Sequence, residues 1–258
     1  MKFKKRKDDQ DPKIGEKLYE QFMNLFFEPE IKKRQDAGIL PVPAKISRMQ
    51  VIFFPTKRPP LVQLNNEVVS SARVKLKSGV QIIPGKTINQ SEIQSIEKIE
   101  LTEKEYGDCG HITFLFCENK WNIFFDFRRN KEYAKRHLSS AKEFFETAEF
   151  SLVKNYKAPF VDTLFSSAEL LAKCELLLLP DPKFREKASH TVIKSKFNRW
   201  TNLGNVDIKF KNALNELTNL RINIRYLKKD ITITDKECND LINTVKEWIE
   251  YTEYLLRI

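Results

Sequence analysis

Histidine and cysteine are scarce in this chain, three and four among 258 residues, and the cysteines are scattered without paired spacing. A zinc site needs ligands in short, repeated spacings. "CGH" (109–111) supplies two candidate ligands with no second pair to match, so no metal site is expected. A chain of this length buries enough surface to fold without disulfides, and Cys109, Cys117, Cys174 and Cys238 read as free thiols. Long apolar runs are missing too. The longest, "ELLLL" (175–179) and "HITFLFC" (111–117), fall far short of the roughly 18–20 residues of a membrane helix, so no span is expected. The opening "MKFKKRKDD" has the charge of an export signal but runs into polar "QDPKIGEK" where an apolar region would be required; a cytoplasmic protein is expected. No motif fixes a substrate or implies a cofactor.

What the chain does have is charge of one sign in one place. At 41% hydrophobic and 31% charged it has the balance of a globular protein, and its net charge is +10. Between Ala44 and Lys86 stand Lys45, Arg48, Lys57, Arg58, Arg73, Lys75, Lys77 and Lys86 against the single acid Glu67. Such a segment is either a phosphate-facing surface or a solvated sheet face whose acids come from elsewhere in the fold. Arg48, Lys57, Arg58, Arg73, Lys75 and Lys77 are the candidate nucleic-acid contacts in this half, joined by Arg225 from the other. Residues 1–11 read as a basic disordered tail.

Two periodicities meet near Asn130. Over 12–130 a helix (12–34, with Ile14, Leu18, Phe22 and Leu25 on one stripe) precedes short strands expected at 46–54, 68–76, 80–83, 96–101, 111–117 and 121–127. The last two are separated by "ENK", suited to a tight hairpin that places Ile112, Phe114 and Phe116 on one face with Ile123, Phe125 and Phe127. Over 131–258 the apolar residues recur at helical spacing: Ala134 to Leu152, Phe160 to Leu178, His190 to Leu203, Phe210 to Leu227, and a last helix from Cys238 to Leu256 opened by the capping box "TDKE" (234–237). The chain is therefore α+β: an N-terminal helix with a small mixed or antiparallel sheet domain, then an all-α bundle of four or five helices.

Three stretches, "AKRHLSSAKEFFETAEFSL" (134–152), "FSSAELLAKCELLL" (165–178) and "LTNLRINIRY" (217–226), give the bundle a resemblance to the HEPN family of small helical domains. The resemblance implies a homodimer formed through the bundle. It also implies one of two functional classes, metal-independent endoribonucleases or members that have lost catalysis. Active members carry an arginine, a polar residue, a short spacer and a histidine near the end of the fourth main helix, with an acidic or polar residue from the second helix nearby. Carried onto this chain, the arginine is Arg221 and the acid Glu169, while Ile222 stands at the polar position and Tyr226 at the histidine position. Tyrosine exchanges protons poorly near neutral pH, so the resemblance implies a non-catalytic protein that binds RNA, a nucleotide or another acidic partner. Two alternatives stay open: an endoribonuclease in which Arg221 stabilises the phosphate and Asn223 or Tyr226 positions the 2′-hydroxyl, and a purely structural dimerisation protein. Helical geometry puts Arg221 and Arg225 on neighbouring flanks of the Leu217–Ile224 stripe and Tyr226 about 140° from Arg221. Arg221 is then expected either to pair with an acid such as Glu169, with Tyr226 filling an interhelical or dimer contact, or to meet RNA. His190, behind a capping Ser189 or at Thr191, reads as a first-turn residue. "KSKFNRW" (194–200) mixes cations and rings as nucleic-acid surfaces and amphipathic helices both do.

Overall fold

A computed structural model describes residues 12–117, 119–185, 189–225 and 233–257. It opens with a helix in three parts, α1 (Pro12–Phe22), a wider π-type turn (Met23–Phe27) and α2 (Glu28–Asp36), where the sequence predicts a single regular helix. The wide turn has a packing reason. Phe22, Phe26 and Phe27 all meet the same sheet, with ring centroids 6.3 Å (Phe22–Phe114), 5.8 Å (Phe26–Phe53) and 5.2 Å (Phe27–Phe114) apart. A regular helix sets Phe22 and Phe27 about 140° apart, and the larger residue count of a π turn brings them together.

Six strands follow: β1 (Arg48–Phe53), β2 (Leu61–Leu64), β3 (Ser70–Leu76), β4 (Ile93–Leu101), β5 (Gly110–Cys117) and β6 (Lys120–Asp126). They make a four-stranded sheet in the order β2-β1-β5-β6 and a two-stranded ribbon of β3 and β4, antiparallel throughout. One expected strand is absent and one unexpected strand is present. Residues 80–83 are not a strand, because Gly79 and Gly85, at φ +87° and +81°, turn the chain on either side of them. β2 escapes sequence reading because its four residues follow directly on two prolines. The hairpin forms as expected, with Phe114 opposite Ile123, Ile112 opposite Phe125 and Asn119 supplying the positive φ of the loop.

Period-two alternation gives the four-stranded sheet two different faces. Met49, Val51, Leu64, Ile112 and Phe114 are buried with Phe27 under the opening helix. On the opposite face Gln50 Nε2 donates to Thr113 Oγ1 (2.6 Å) and to Ser70 Oγ of the ribbon (2.9 Å). His111 Nδ1 lies 3.0 Å from Thr113 Oγ1, and Nε2 lies 3.2 Å from the Ile99 carbonyl. Since a carbonyl only accepts, Nε2 carries the proton and Nδ1 accepts from the threonine. The "CGH" stretch is thereby explained by packing: Cys109 and His111 are buried, and a Cβ on Gly110 would stand 3.0 Å from the Asp126 carbonyl.

The chain divides into two compact units, one of residues up to Phe54 with Arg58–Phe127, the other of Pro55–Lys57 with Arg128–Ile258. The second is built from α3 (Lys131–Val153), α4 (Lys157–Leu177), α5 (His190–Asn202), α6 (Ile208–Arg225) and α7 (Asp235–Arg257). The capping box is present, with Glu237 N–H donating to Thr234 Oγ1 (3.2 Å) and Thr234 N–H to Glu237 Oε2 (2.7 Å). Trp248 is fully buried between Phe197 (4.9 Å) and Phe210 (5.1 Å), and its indole N–H donates to Glu175 Oε1 at 2.5 Å. Burial pushes the Glu175 carboxyl up to about 8. The apolar stripe of α7 is spent inside this core: Leu241, Ile242, Val245, Trp248 and Ile249 are all buried there. Among the described residues no helix is long and apolar enough to cross a membrane.

Candidate functional site

One face of α4 carries two half-buried carboxylates with a buried ring between them. Asp162, Phe165 and Glu169 fall on a common face at spacings of three and four. α6 answers with Arg221 and Arg225, one turn apart. Arg221 Nε donates to Asp162 Oδ1 (2.8 Å), and Arg225 forks onto the same carboxylate through Nε to Oδ1 (3.0 Å) and Nη2 to Oδ2 (3.1 Å). Burial draws the Asp162 carboxyl upward, but the hydrogen bonds from Arg225 and Arg221 outweigh it and hold the group below the usual carboxylate range. Arg221 is further fixed by Phe165, whose ring centroid lies 4.3 Å from its guanidinium carbon.

The acid expected for Arg221 was Glu169, and the structure replaces it with Asp162, two turns earlier on the same face. Glu169 instead holds His190, whose Nδ1 contacts Glu169 Oε1. His190 is a first-turn residue of α5 as expected, Ser189 Oγ accepting from the Val192 N–H. Its ring centroid lies 6.1 Å from that of Phe165, so Arg221 and His190 both meet the same phenyl ring. Asn223 sits about 200° around α6 from Arg221 and takes no part in this cluster. Tyr226 lies outside the described residues. Phe197 of "KSKFNRW" is fully buried against Trp248 and offers no face to a base.

The basic candidates from Arg48 to Lys77 separate by what holds them. Arg48 Nη2 donates to Asn66 Oδ1 at 3.1 Å, and the Arg58 guanidinium lies 4.1 Å from the centroid of the Phe54 ring. Lys57 is exposed in the connection between β1 and β2. Arg73, Lys75 and Lys77 are exposed along β3 and its extension, and among the described residues none of the three has an ion-pair partner. Position in the ribbon is a long-range property, and only the alternation of "ARVKLK" (72–77) hinted that these cations share a face.

Residues 134–255 match the family model for the HEPN domain. No curated protein and no solved structure matches the chain.

Proposed function

We propose, from the match of residues 134–255 to the HEPN domain and the nucleotide-related or ribonuclease-like role that this domain suggests, a non-catalytic, dimeric protein that binds nucleic acid through its first unit. The observation that carries this reading is the contrast in charge: Arg221 and Arg225 are committed to Asp162, whereas among the described residues Arg73, Lys75 and Lys77 make no ion pair. Electrostatic binding of this kind falls steeply with salt. Affinity for RNA measured at two salt concentrations tests it; binding that ignores salt sinks the reading. The dimer rests on the family resemblance, with exposed Phe150 and Val153 at the end of α3 and Tyr156 just before α4 offering apolar contact area. Light scattering should return twice the 30.4 kDa chain mass, and the single mass would remove the dimer.

A second reading, metal-independent endoribonuclease, is favoured by one arrangement. Glu169 holds Nδ1 of His190, which leaves Nε2 directed away from the carboxylate, and Phe165 joins that imidazole to Arg221. An oriented imidazole can take the 2′-hydroxyl proton as the O2′–P bond forms and the P–O5′ bond breaks, with an arginine on the phosphate. Incubation of RNA with the protein in EDTA decides between the two. Intact RNA supports the binding protein; cleavage lost in both Arg221→Ala and His190→Ala replaces it with the enzyme.

A further inference from the structure

The ribbon departs from regular pairing in a lopsided way. Arg73 faces Lys98 but Val74 faces Ile96, and Lys75 faces Ser95 but Leu76 faces Ile93, so the unpaired extra residues, Glu97 and Gln94, both belong to β4. Bulges bend and coil the strand that carries them. β3 keeps its alternation, with Arg73, Lys75 and Lys77 exposed and Val74 and Leu76 half-buried between them. Lys77 prolongs the pairing beyond β3 by donating its N–H to the Glu92 carbonyl at 2.9 Å. The three cations therefore stand in single file at the two-residue repeat of a strand, about 6.7 Å.

Two lysines beside the file are paired locally. Lys98 pairs with Glu100 at 2.5 Å and Lys86 with Glu92 at 3.7 Å. Glu100 and Glu92 are thus taken up by the lysines beside the file, and the exposed Glu97 at the first bulge makes no ion pair with it, so that among the described residues the three cations of the file have no ion-pair partner. The other side of the ribbon is not free to enter a groove of a duplex: Ile99 is buried, Ser70 is tied to Gln50, and the Ile99 carbonyl accepts from His111. The accessible element is one row of cations on one face.

We propose that Arg73, Lys75 and Lys77 form a phosphate ladder that binds the backbone of one single-stranded nucleic-acid chain, each cation meeting a successive phosphate. This rests on the reading that the first unit binds nucleic acid, and it assigns the ligand, the residues and the lack of base readout. The pitch of the file is comparable to the distance between successive phosphates of an extended strand. A single strand is flexible enough to follow a coiled ribbon, whereas the two backbones of a duplex wind round a stiff axis and leave a single file after a few steps. No exposed ring stands in the file, so binding tolerates any sequence.

Fluorescence anisotropy with the full chain tests the ladder, using a labelled oligo-uridine, a duplex of equal length and polyglutamate. Oligo-uridine should bind more tightly than either of the others. Its log–log salt slope should become shallower by about 2 in the triple variant Arg73→Gln, Lys75→Gln, Lys77→Gln, three single-strand contacts at about 0.7 each. Affinity at low salt should fall at least tenfold, while Lys98→Gln and Lys86→Gln change it less than twofold. Equal or tighter binding of the duplex or of polyglutamate overturns the single-strand assignment. Tight binding whose slope survives the triple change overturns the ladder and leaves nucleic-acid binding elsewhere on the unit. Absence of binding to all three ligands removes both this proposal and the reading beneath it.

Discussion

In the helical unit the charged side chains around the candidate site are spent on one another, Arg221 and Arg225 on Asp162 and His190 on Glu169, while in the strand unit Arg73, Lys75 and Lys77 stand in a row and, among the described residues, make no ion pair. The buried polar groups differ as well. The strand unit encloses a neutral chain, Ser70–Gln50–Thr113–His111, that ends on the Ile99 carbonyl. The helical unit encloses a carboxyl, Glu175, whose displaced titration makes its core sensitive to pH. Charge satisfied within a fold serves stability, and charge left unsatisfied at a surface serves encounter with a partner. That contrast is the basis on which binding is proposed for the strand unit.

The largest expected effect breaks the helical side of the comparison. Trp248→Ala empties the space between Phe197 and Phe210 and strips Glu175 of its donor, and chemical denaturation should show a loss of about 3–5 kcal/mol. A loss below about 1 kcal/mol would mean that the ring stack does not organise this core.

Glu175→Gln sharpens the difference in pH behaviour. Because the folded carboxyl titrates at about 8, above its unfolded value, the folded state holds a proton that the unfolded state has released between those two points. Stability is then fullest in acid and declines as pH rises through that window, by up to about 1.4 kcal/mol per unit. The glutamine variant should lose this slope and be more stable than the natural chain by about 2–4 kcal/mol above pH 8. An unchanged slope, measured by denaturation across pH 5–9, would exclude Glu175 as its source.

On the strand side, His111→Leu leaves the Ile99 carbonyl without its donor and the Thr113 hydroxyl without its acceptor, at an expected cost of about 1–3 kcal/mol. Arg221→Ala should cost less, about 1 kcal/mol, since Arg225 continues to hold Asp162. The depressed Asp162 carboxyl stabilises the fold above its unfolded pKa and ceases to do so as pH falls through the lowered value, so the cost of Arg221→Ala should shrink in strong acid. Smallest of all, glutamine at Arg73, Lys75 and Lys77 should shift stability by less than about 0.5 kcal/mol, because exposed cations without partners hold nothing in place. A large loss there would erase the contrast between the units.

The helices of the bundle were legible because each buries a stripe whose period is that of the helix itself: Ala134, Leu138, Ala141, Phe145 and Ala148 are all buried as their spacing requires. The hairpin of β5 and β6 was legible for the same local reason. The break in the opening helix was not, since its cause is a sheet whose strands lie far along the chain. At the candidate site, Arg221 was identifiable as a group that would find an acid, but the choice of acid was not. Asp162 and Glu169 share a face of α4 about 10.5 Å apart along its axis, and local sequence treats them alike.

What the sequence determined by itself is therefore whatever repeats over a few residues: the order and type of the main elements, the buried stripes, the caps, and the alternation that puts Arg73, Lys75 and Lys77 on one side of a strand. Tertiary structure decided which turn of α4 meets α6, giving Arg221 to Asp162 and leaving Glu169 to His190. It also decided that both bulges fall on β4, so that β3 presents its cations in file. The physical reason is common to both cases. Periodicity is set by bonds between near neighbours, whereas the partner of a side chain is set by where two surfaces pack, and that placement is the sum of many distant contacts rather than a property of either segment.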